Sequence, residues 1–250
     1  ANDPLSNRNW RPWISASFPT SPYMNTPLLG NTILLTAEVA NSHEGNWENA
    51  LELVKLAAES GCGAVKFQKY YATEMLASGH SMMDTFSAWE WERQIWDVLI
   101  STAHDLGLMV FVDVFGIQAL ESLIQLPEVD GLKIHAADIG NVPLLDRLAE
   151  TKLPIFMGTG GCTDLDIYSA LTKIGCPERI VLMHGYQAFP SPLEDTDLLG
   201  IKKLQETFGV AVGLSEHLDA DDSFAKVLPL LAIPLGICCI EKHIVLDRSA

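Results

Sequence analysis

From residue 32 onward the chain alternates between short apolar runs and stretches with helical spacing, and this alternation limits the fold more than any other feature. Eight apolar runs begin near Thr32, Gly63, Leu108, Gly131, Leu153, Arg179, Val210 and Gly236. Short, unbroken apolar runs are typical of parallel strands that are buried on both faces. Between them, apolar residues recur every three or four positions, as at Leu51, Val54 and Ala58. This spacing predicts a helix between successive strands.

Eight strands joined by seven helical crossovers favour one architecture of the α/β class. A chain of 250 residues has the usual length of a (β/α)8 TIM barrel, and this is the predicted fold. A doubly wound open sheet is the alternative, but the first strand–helix turn, residues 41–46, lacks the Gly-x-Gly-x-x-Gly pattern of dinucleotide-binding sheets. Only seven residues follow His243, so we expect the eighth helix to be absent from this chain.

Glycine and proline predict where several elements end. Gly61, Gly107, Gly175 and Gly209 each follow a helical stretch and suit a left-handed C-cap. Pro229 lies inside the last helical stretch and predicts a kink there.

The connection from Tyr70 to about Glu90 is long and rich in aromatic residues. Because it follows a strand, it would lie at the same end of the barrel as the other strand–helix loops. Two interpretations are open: a lid or partner surface over the site, or a plain surface excursion.

Composition separates a leader from the barrel and indicates a compartment. Residues 1–30 are rich in Pro, Ser, Asn and Trp without periodicity, so we expect an irregular leader before a barrel domain at 31–250. Cysteines are odd in number and lack zinc-type spacing, which predicts reduced thiols and a cytoplasmic location. They are Cys62, Cys162, Cys176, Cys238 and Cys239. The chain starts without the charged and apolar regions of a signal peptide.

The net charge of −16 bears on the partners. Nucleic acid and anionic membrane surfaces would be repelled at long range, and no stretch approaches the roughly 20 apolar residues of a membrane span. We therefore expect small-molecule substrates. An anionic substrate would need lysines close to it to overcome the overall field.

Two histidines stand at consecutive strand ends. His217 follows the seventh apolar run and His243 the eighth. In a parallel barrel both ends lie at one rim, and two neutral imidazoles would form half of a site for a divalent metal. The alternative is that each histidine caps its strand by hydrogen bonding to nearby backbone.

Two lysines interrupt apolar runs. Lys66 and Lys133 lie within the second and fourth strands, and a buried lysine is rare unless it is paired or binds an anion. Anion binding at the rim is one interpretation. The other is an internal ion pair with Glu38, Asp113 or Glu241.

Six short motifs follow one another along residues 37–243. They read Ala-Glu-Val-Ala-Asn-Ser-His-Glu-Gly-Asn (37–46), Ala-Val-Lys-Phe-Gln (64–68), Leu-Lys-Ile (132–134), Phe-Pro-Ser-Pro-Leu-Glu-Asp (189–195), Gly-Leu-Ser-Glu-His (213–217) and Ile-Glu-Lys-His (240–243). In this order they resemble the sialic acid synthase family, which makes N-acetylneuraminate and related nonulosonic acids. Each motif is weak alone, but the ordered set is specific.

The resemblance implies a TIM barrel that condenses phosphoenolpyruvate with the open-chain aldehyde of an N-acylated hexosamine or related aldose. The product is a sialic-acid-like nonulosonic acid, and phosphate is released. A divalent metal, typically Mn²⁺ with Mg²⁺ as the alternative, would lie on His217 and His243 and polarise the aldehyde. Glu38, Lys66 and Lys133 would be catalytic. The strand ends and the motifs together give these substrate-binding candidates: Gln68, Asp113, His184, Gln187, Phe189, Ser215 and Glu241. A homo-oligomer is a further expectation.

The chain departs from the family pattern around the phosphate site. Asp113 stands where a phosphate-binding threonine is expected, and Ala136 replaces a serine. Gly-Thr-Gly-Gly at 158–161 loses another hydroxyl, although its backbone N–H groups could approach a phosphate. Gln187 and Phe189 replace Asn and Tyr. We also expect the family's antifreeze-like C-terminal domain to be absent from this chain.

These departures keep two alternatives open. One is a metal-dependent barrel aldolase or lyase that does not use phosphoenolpyruvate. The other is a non-catalytic barrel that serves as a scaffold.

Overall fold

A closed barrel of eight parallel strands forms the centre of the structure, a computed structural model that describes residues 32–126 and 129–247. The strands pair in sequence order, and β8 closes onto β1. They are β1 Leu34–Glu38, β2 Ala64–Tyr70, β3 Met109–Phe115, β4 Gly131–Ile134, β5 Ile155–Gly158, β6 Ile180–His184, β7 Ala211–Glu216 and β8 Cys239–His243. The eight predicted strands and the TIM-barrel fold are confirmed, and the predicted leader, residues 1–30, lies outside the described residues.

Helices surround the barrel and connect its strands. They are α1 Trp47–Glu59, α2 Ala72–Met75, α3 Met83–Ala88, α4 Arg93–Asp105, α5 Ile117–Leu123, α6 Val142–Glu150, α7 Asp164–Ile174, α8 Leu199–Phe208 and α9 Leu228–Ala232. Short 3₁₀ turns lie between several of them. No helix in the described part of the chain is long and apolar enough to cross a membrane.

The two-residue period of the strands divides their side chains between two layers. Val65 and Phe67 of β2 belong to the large outer core, which lies between the strands and the helices. Ala64 belongs to a smaller cluster inside the barrel, where the rings of Phe111 and Phe156 stack with centroids 4.6 Å apart. Because this apolar plug fills one end of the barrel, ligands have access only to the end where the strands finish.

The helix ends follow their local signals. Asn46 caps α1 by accepting a hydrogen bond from the backbone N–H of Glu48 at 2.8 Å. Gly175 and Gly209 end α7 and α8 in the left-handed conformation, as predicted. The kink predicted at Pro229 is wrong: the proline lies in the first turn of α9, where its missing N–H costs no helical hydrogen bond.

The long connection after β2 is held down at several points. The Glu74 carboxylate of α2 accepts hydrogen bonds from the backbone N–H groups of Ile117, at 2.8 Å, and Gln118, at the start of α5. Further along, the Trp91 ring donates to the Gly45 carbonyl oxygen in the first strand–helix turn, at 3.3 Å. The connection is therefore packed onto the outside of the barrel by residues distant in sequence.

Candidate active site

A cavity of about 200 Å³ opens at the end of the barrel where the strands finish. Because the strands run parallel, their last inward-facing side chains meet there. Eleven of the predicted site residues line it: Glu38, Lys66, Gln68, Asp113, Lys133, Gln187, Phe189, Ser215, His217, Glu241 and His243. None of the residues from Tyr70 to Glu90, all of which are described, lies in this lining, so that connection does not cover the cavity as a lid.

Buried ion pairs form the floor of the cavity. Glu241 bridges the two lysines: its Oε2 lies 2.8 Å from Lys66 Nζ and its Oε1 2.7 Å from Lys133 Nζ. Lys66 also contacts the Glu38 carboxylate, and Asp113 Oδ2 lies 3.8 Å from each ammonium group. The internal ion pairs that the sequence left open are therefore present, and they face the cavity.

The pairing fixes the charge of most of these groups. Burial alone would lower the pKa of Lys133 and raise that of Glu241, but the surrounding charges together outweigh it: Glu241 and Asp113 act on Lys133, and Lys133 and Lys66 act on Glu241. The pKa of Lys133 therefore lies above its usual value and that of Glu241 well below its own. For Lys66 burial dominates over Glu241 and lowers the pKa to about 8. Lys66 is thus the member of the cluster whose proton is most easily released.

His217 and His243 lie side by side, with ring centroids 5.4 Å apart. His217 Nδ1 lies 3.0 Å from the backbone oxygen of Tyr186, and because a carbonyl only accepts, Nδ1 carries the proton and Nε2 keeps a lone pair. Burial, and then His217, lower the pKa of His243 to about 3, which leaves its ring neutral at neutral pH. The ring of Phe189 packs 4.6 Å from that of His243.

This histidine pair fits the donor chemistry of a divalent metal. Each ring offers a nitrogen to the cavity, and the carbonyl behind His217 orients it as outer partners of metal-binding histidines do. Within residues 32–126 and 129–247, no group of three or more His, Cys, Asp or Glu side chains is arranged to hold an ion. The remaining ligands would therefore come from water and substrate.

His184, predicted as a substrate contact, does not reach this cavity. Its Nε2 lies 2.5 Å from the backbone oxygen of Asp197, and its ring lines a neighbouring cavity of about 190 Å³. The reason is the strand period: Met183 faces the barrel interior, so His184 faces α8. Gly200 of α8 leaves room for the ring, since a Cβ there would lie 2.5 Å from His184 Cε1.

The glycine-rich turn after β5 lies between the two cavities. Gly158 lines the main cavity, whereas Thr159, Gly160 and Gly161 line the neighbouring one. The backbone N–H of Thr159 donates to the Met183 carbonyl at 3.1 Å and is not free for a phosphate.

His135 lines the cavity although the motifs do not assign it to the site. Its Nδ1 accepts a hydrogen bond from the backbone N–H of Ala137 at 3.2 Å, so the proton is on Nε2. Burial lowers its pKa, and the ring is neutral at neutral pH. The sequence does contain a signal for this placement. His135 lies two residues beyond Lys133, and side chains two residues apart on a strand point to the same face.

Comparison with known sequences assigns the chain to a family. The profile of the NeuB family matches residues 53–250. The chain belongs to the NeuB family. This confirms the resemblance inferred from the motifs.

Relatives of this NeuB chain are named as synthases of nonulosonic acids. It is 29% identical over 238 residues to the N,N'-diacetyllegionaminic acid synthase of Legionella pneumophila, covering 87% of this chain and 65% of that one. It is 30% identical over 237 residues to the pseudaminic acid synthase of Helicobacter pylori, covering 86% and 66%. The NeuB chain therefore spans slightly less than two thirds of the length of these relatives.

The barrel is also similar to solved structures. N-acetylneuraminic acid synthetase from Leptospira borgpetersenii, solved with citrate, superposes with a TM-score of 0.80 at 26% identity, covering 88% of this NeuB chain and 76% of that one.

Proposed function

We propose that this chain is the barrel part of a metal-dependent synthase that condenses phosphoenolpyruvate with the aldehyde of an N-acylated hexosamine or related aldose. The product would be a sialic-acid-like nonulosonic acid, with release of phosphate. The proposal is carried by the convergence of two buried lysines and two histidines on one cavity. It is supported by the names of the relatives.

Lys66 and Lys133 are proposed to hold the anionic groups of phosphoenolpyruvate. Glu241 fixes both ammonium groups by bridging them, so they need no reorganisation when the substrate binds. Charge-assisted hydrogen bonds are stronger in such a buried place than in water. The two ammonium groups would give the anion direct charge partners, which it needs in a chain of net charge −16.

Glu38 is proposed to handle the proton of the water that adds to carbon 2 of phosphoenolpyruvate. Its Oε1 accepts a hydrogen bond from the backbone N–H of Ala40 at 2.8 Å, and its Oε2 contacts Lys66. The carboxylate is thus held in one orientation beside the anion site. Carbon 3 would attack the aldehyde, Glu38 Oε2 would take the water proton, and phosphate would leave by cleavage of its C–O bond.

His217 and His243 are proposed to hold Mn²⁺ or Mg²⁺, which when bound would supply Lewis acidity to the aldehyde oxygen. The chain itself keeps His217 Nε2 available through the Tyr186 carbonyl. Phe189 is 70% exposed and presents an apolar face beside His243 for the acceptor. Gln68, Gln187 and Ser215 line the same cavity and offer amide and hydroxyl groups to a sugar.

The test is aldehyde-dependent release of phosphate. Phosphoenolpyruvate and Mn²⁺ are incubated with the protein and a panel of N-acylated hexosamines and pentoses, and both phosphate and product mass are followed. We expect release with at least one acceptor, and its loss in Lys133→Met. His184→Ala serves as the control, since His184 lies outside the cavity. Absence of phosphate release with every acceptor would refute the synthase.

One observation favours a second candidate, a barrel aldolase or lyase that does not use phosphoenolpyruvate. Asp113 adds a carboxylate to the wall that holds both lysines, which lowers the positive charge offered to a phosphate. Carbon–carbon bond formation or cleavage by this protein with pyruvate in place of phosphoenolpyruvate would support that candidate. The predicted homo-oligomer and cytoplasmic location stay predictions.

A further inference from the structure

Asp113 carries a buried oxygen that lacks a partner. The side chain lines the cavity from β3, and the residue is 1% exposed. Oδ2 faces the two ammonium groups, but Oδ1 has no hydrogen-bond partner among the described residues. Buried polar atoms are almost always satisfied in folded proteins. Because the Asp113 side chain lines the cavity, a ligand that brings a hydrogen-bond donor to this wall can satisfy that oxygen.

The groups around Asp113 create a conflict for an anionic ligand. Lys66 on β2 and Lys133 on β4 flank it, and Glu241 on β8 joins the two lysines from across the barrel. Glu38 on β1 lies on the other side of Lys66, and His135 presents a neutral ring with its proton on Nε2. The ammonium groups attract an anion to this wall, while the Asp113 carboxylate repels it. A proton between the two anions removes the conflict.

We propose that Asp113 Oδ1 and an oxygen of the bound phosphate group share one proton. The inference rests on the proposed function, in which the ligand is phosphoenolpyruvate. Of its two acidic groups, only the phosphate has a pKa near neutrality, about 6 for the second proton of a phosphate monoester. Its carboxylate is fully ionised there. Binding therefore combines one phosphate dianion, the Asp113 carboxylate and one proton taken from solvent.

The experiment is calorimetric measurement of proton uptake on binding by the full chain. Inorganic phosphate and phosphoenolpyruvate are titrated separately near pH 8, each in two buffers of different ionisation enthalpy. We expect uptake of about one proton per ligand, and an affinity that falls about tenfold per pH unit above the second pKa of the phosphate. Lys66, with its pKa of about 8, also takes up protons when an anion binds near pH 8, and pyruvate, which has the carboxylate without the phosphate, measures that contribution. Uptake with phosphoenolpyruvate should exceed it by about one proton.

Two variants locate the proton. Asp113→Asn should bind phosphate with about one proton less of uptake than the wild type, because its amide donates where the carboxylate accepts. His135→Gln is the matched control: it removes the neighbouring titratable ring and should keep the uptake. With monofluorophosphate, whose second pKa is lower, the fall in affinity should begin at a lower pH. If the fall in affinity came instead from titration of a protein group, it would begin at the same pH with both ligands.

The wild-type result decides the inference even if Asp113→Asn does not fold. No proton uptake near pH 8, or no binding of either phosphate ligand at any pH, would overturn it. Undiminished uptake in a folded Asp113→Asn would overturn it too. Turnover of phosphoenolpyruvate without uptake would refute the shared proton and leave the synthase proposal standing. Uptake without turnover of any acceptor would support the shared proton and count against the synthase.

Discussion

The two buried lysines at the mouth of the barrel share one carboxylate as their counter-charge. Glu241 is 4% exposed and pairs with Lys66 and Lys133 at the same time. Burying two ammonium groups is costly unless each has a counter-charge. The geometry that is proposed to bind an anion therefore also determines whether the floor of the cavity is stable.

Glu241→Gln should destabilise the fold strongly. The substitution keeps the size of the side chain but leaves the Lys66 and Lys133 ammonium groups under-compensated, a type of change that costs about 3–5 kcal/mol. The measurement is the free energy of unfolding in urea. Asp146→Asn, which removes the exposed pair with Lys173 at 2.7 Å, should cost only about 0–1 kcal/mol. Equal losses in the two variants would contradict the assignment.

His43 should make stability depend on pH. It is buried, its Nδ1 accepts a hydrogen bond from the Gly45 N–H at 2.9 Å, and burial lowers its pKa to about 4. The unfolded ring binds a proton near pH 6.5, so the contribution is full above that pH and is lost as the pH falls toward 4. The loss should reach about 3 kcal/mol.

The check is urea unfolding from pH 7 to pH 4 for the wild type and His43→Gln. The difference between the two profiles isolates His43 from the other titrating groups. The wild type should lose more stability over this range than the variant. Parallel profiles would show that His43 does not cause the dependence.

At the scale of elements, helix ends are satisfied by residues from elsewhere in the chain. The Glu74 carboxylate of the short helix α2 accepts from the first N–H groups of α5, 43 residues away. The N-cap position of α5 is Gly116, which has no side chain to do this. The connection after β2 thereby becomes part of the helical layer.

Glu74→Ala should cost about 1 kcal/mol, the usual value of an N-terminal cap. The loss arises because the first N–H groups of α5 and the positive end of its dipole lose their carboxylate. Glu92→Ala is the matched control, since Glu92 is the N-cap residue of α4 but makes no side-chain cap hydrogen bond. Chemical unfolding should show a clearly smaller loss in the control. If the two losses are equal, Glu74 does not act as a cap.

The whole molecule is a barrel whose closure creates the site. Closure places β8 beside β1, with Glu38 opposite His243 in the register. Side chains from seven of the eight strands meet above the apolar plug only in the folded state. A ligand of this cavity should therefore stabilise the entire barrel.

Mn²⁺ should raise the melting temperature of the protein. Saturation to about 100 times the dissociation constant corresponds to about 2.7 kcal/mol of added stability. The double variant His217→Ala, His243→Ala should lose the shift, whereas His184→Ala should retain it, because His184 lines a different cavity. Differential scanning calorimetry with and without Mn²⁺ gives the answer. A shift that survives in the double variant would place the metal elsewhere.

The sequence alone determined the barrel and most of its rim. Local patterns of a few residues predict buried parallel strands and glycine-capped helices. The order of the strands follows because consecutive elements pack side by side. The two-residue period also places His184 on the outer face, so its direction is local information too.

Only the tertiary structure decided which of the rim groups touch. Lys133 and Glu241 are 108 residues apart in sequence and 2.7 Å apart across the barrel. Local patterns carry no information on such a contact, because it depends on the strand register and on the diameter of the closed barrel. The same is true of Asp113 Oδ1, which has no hydrogen-bond partner in the described part of the chain, since the neighbouring lysines face its other oxygen. Strand identity is a property of a few neighbouring residues, whereas charge pairing at the rim is a property of the closed barrel.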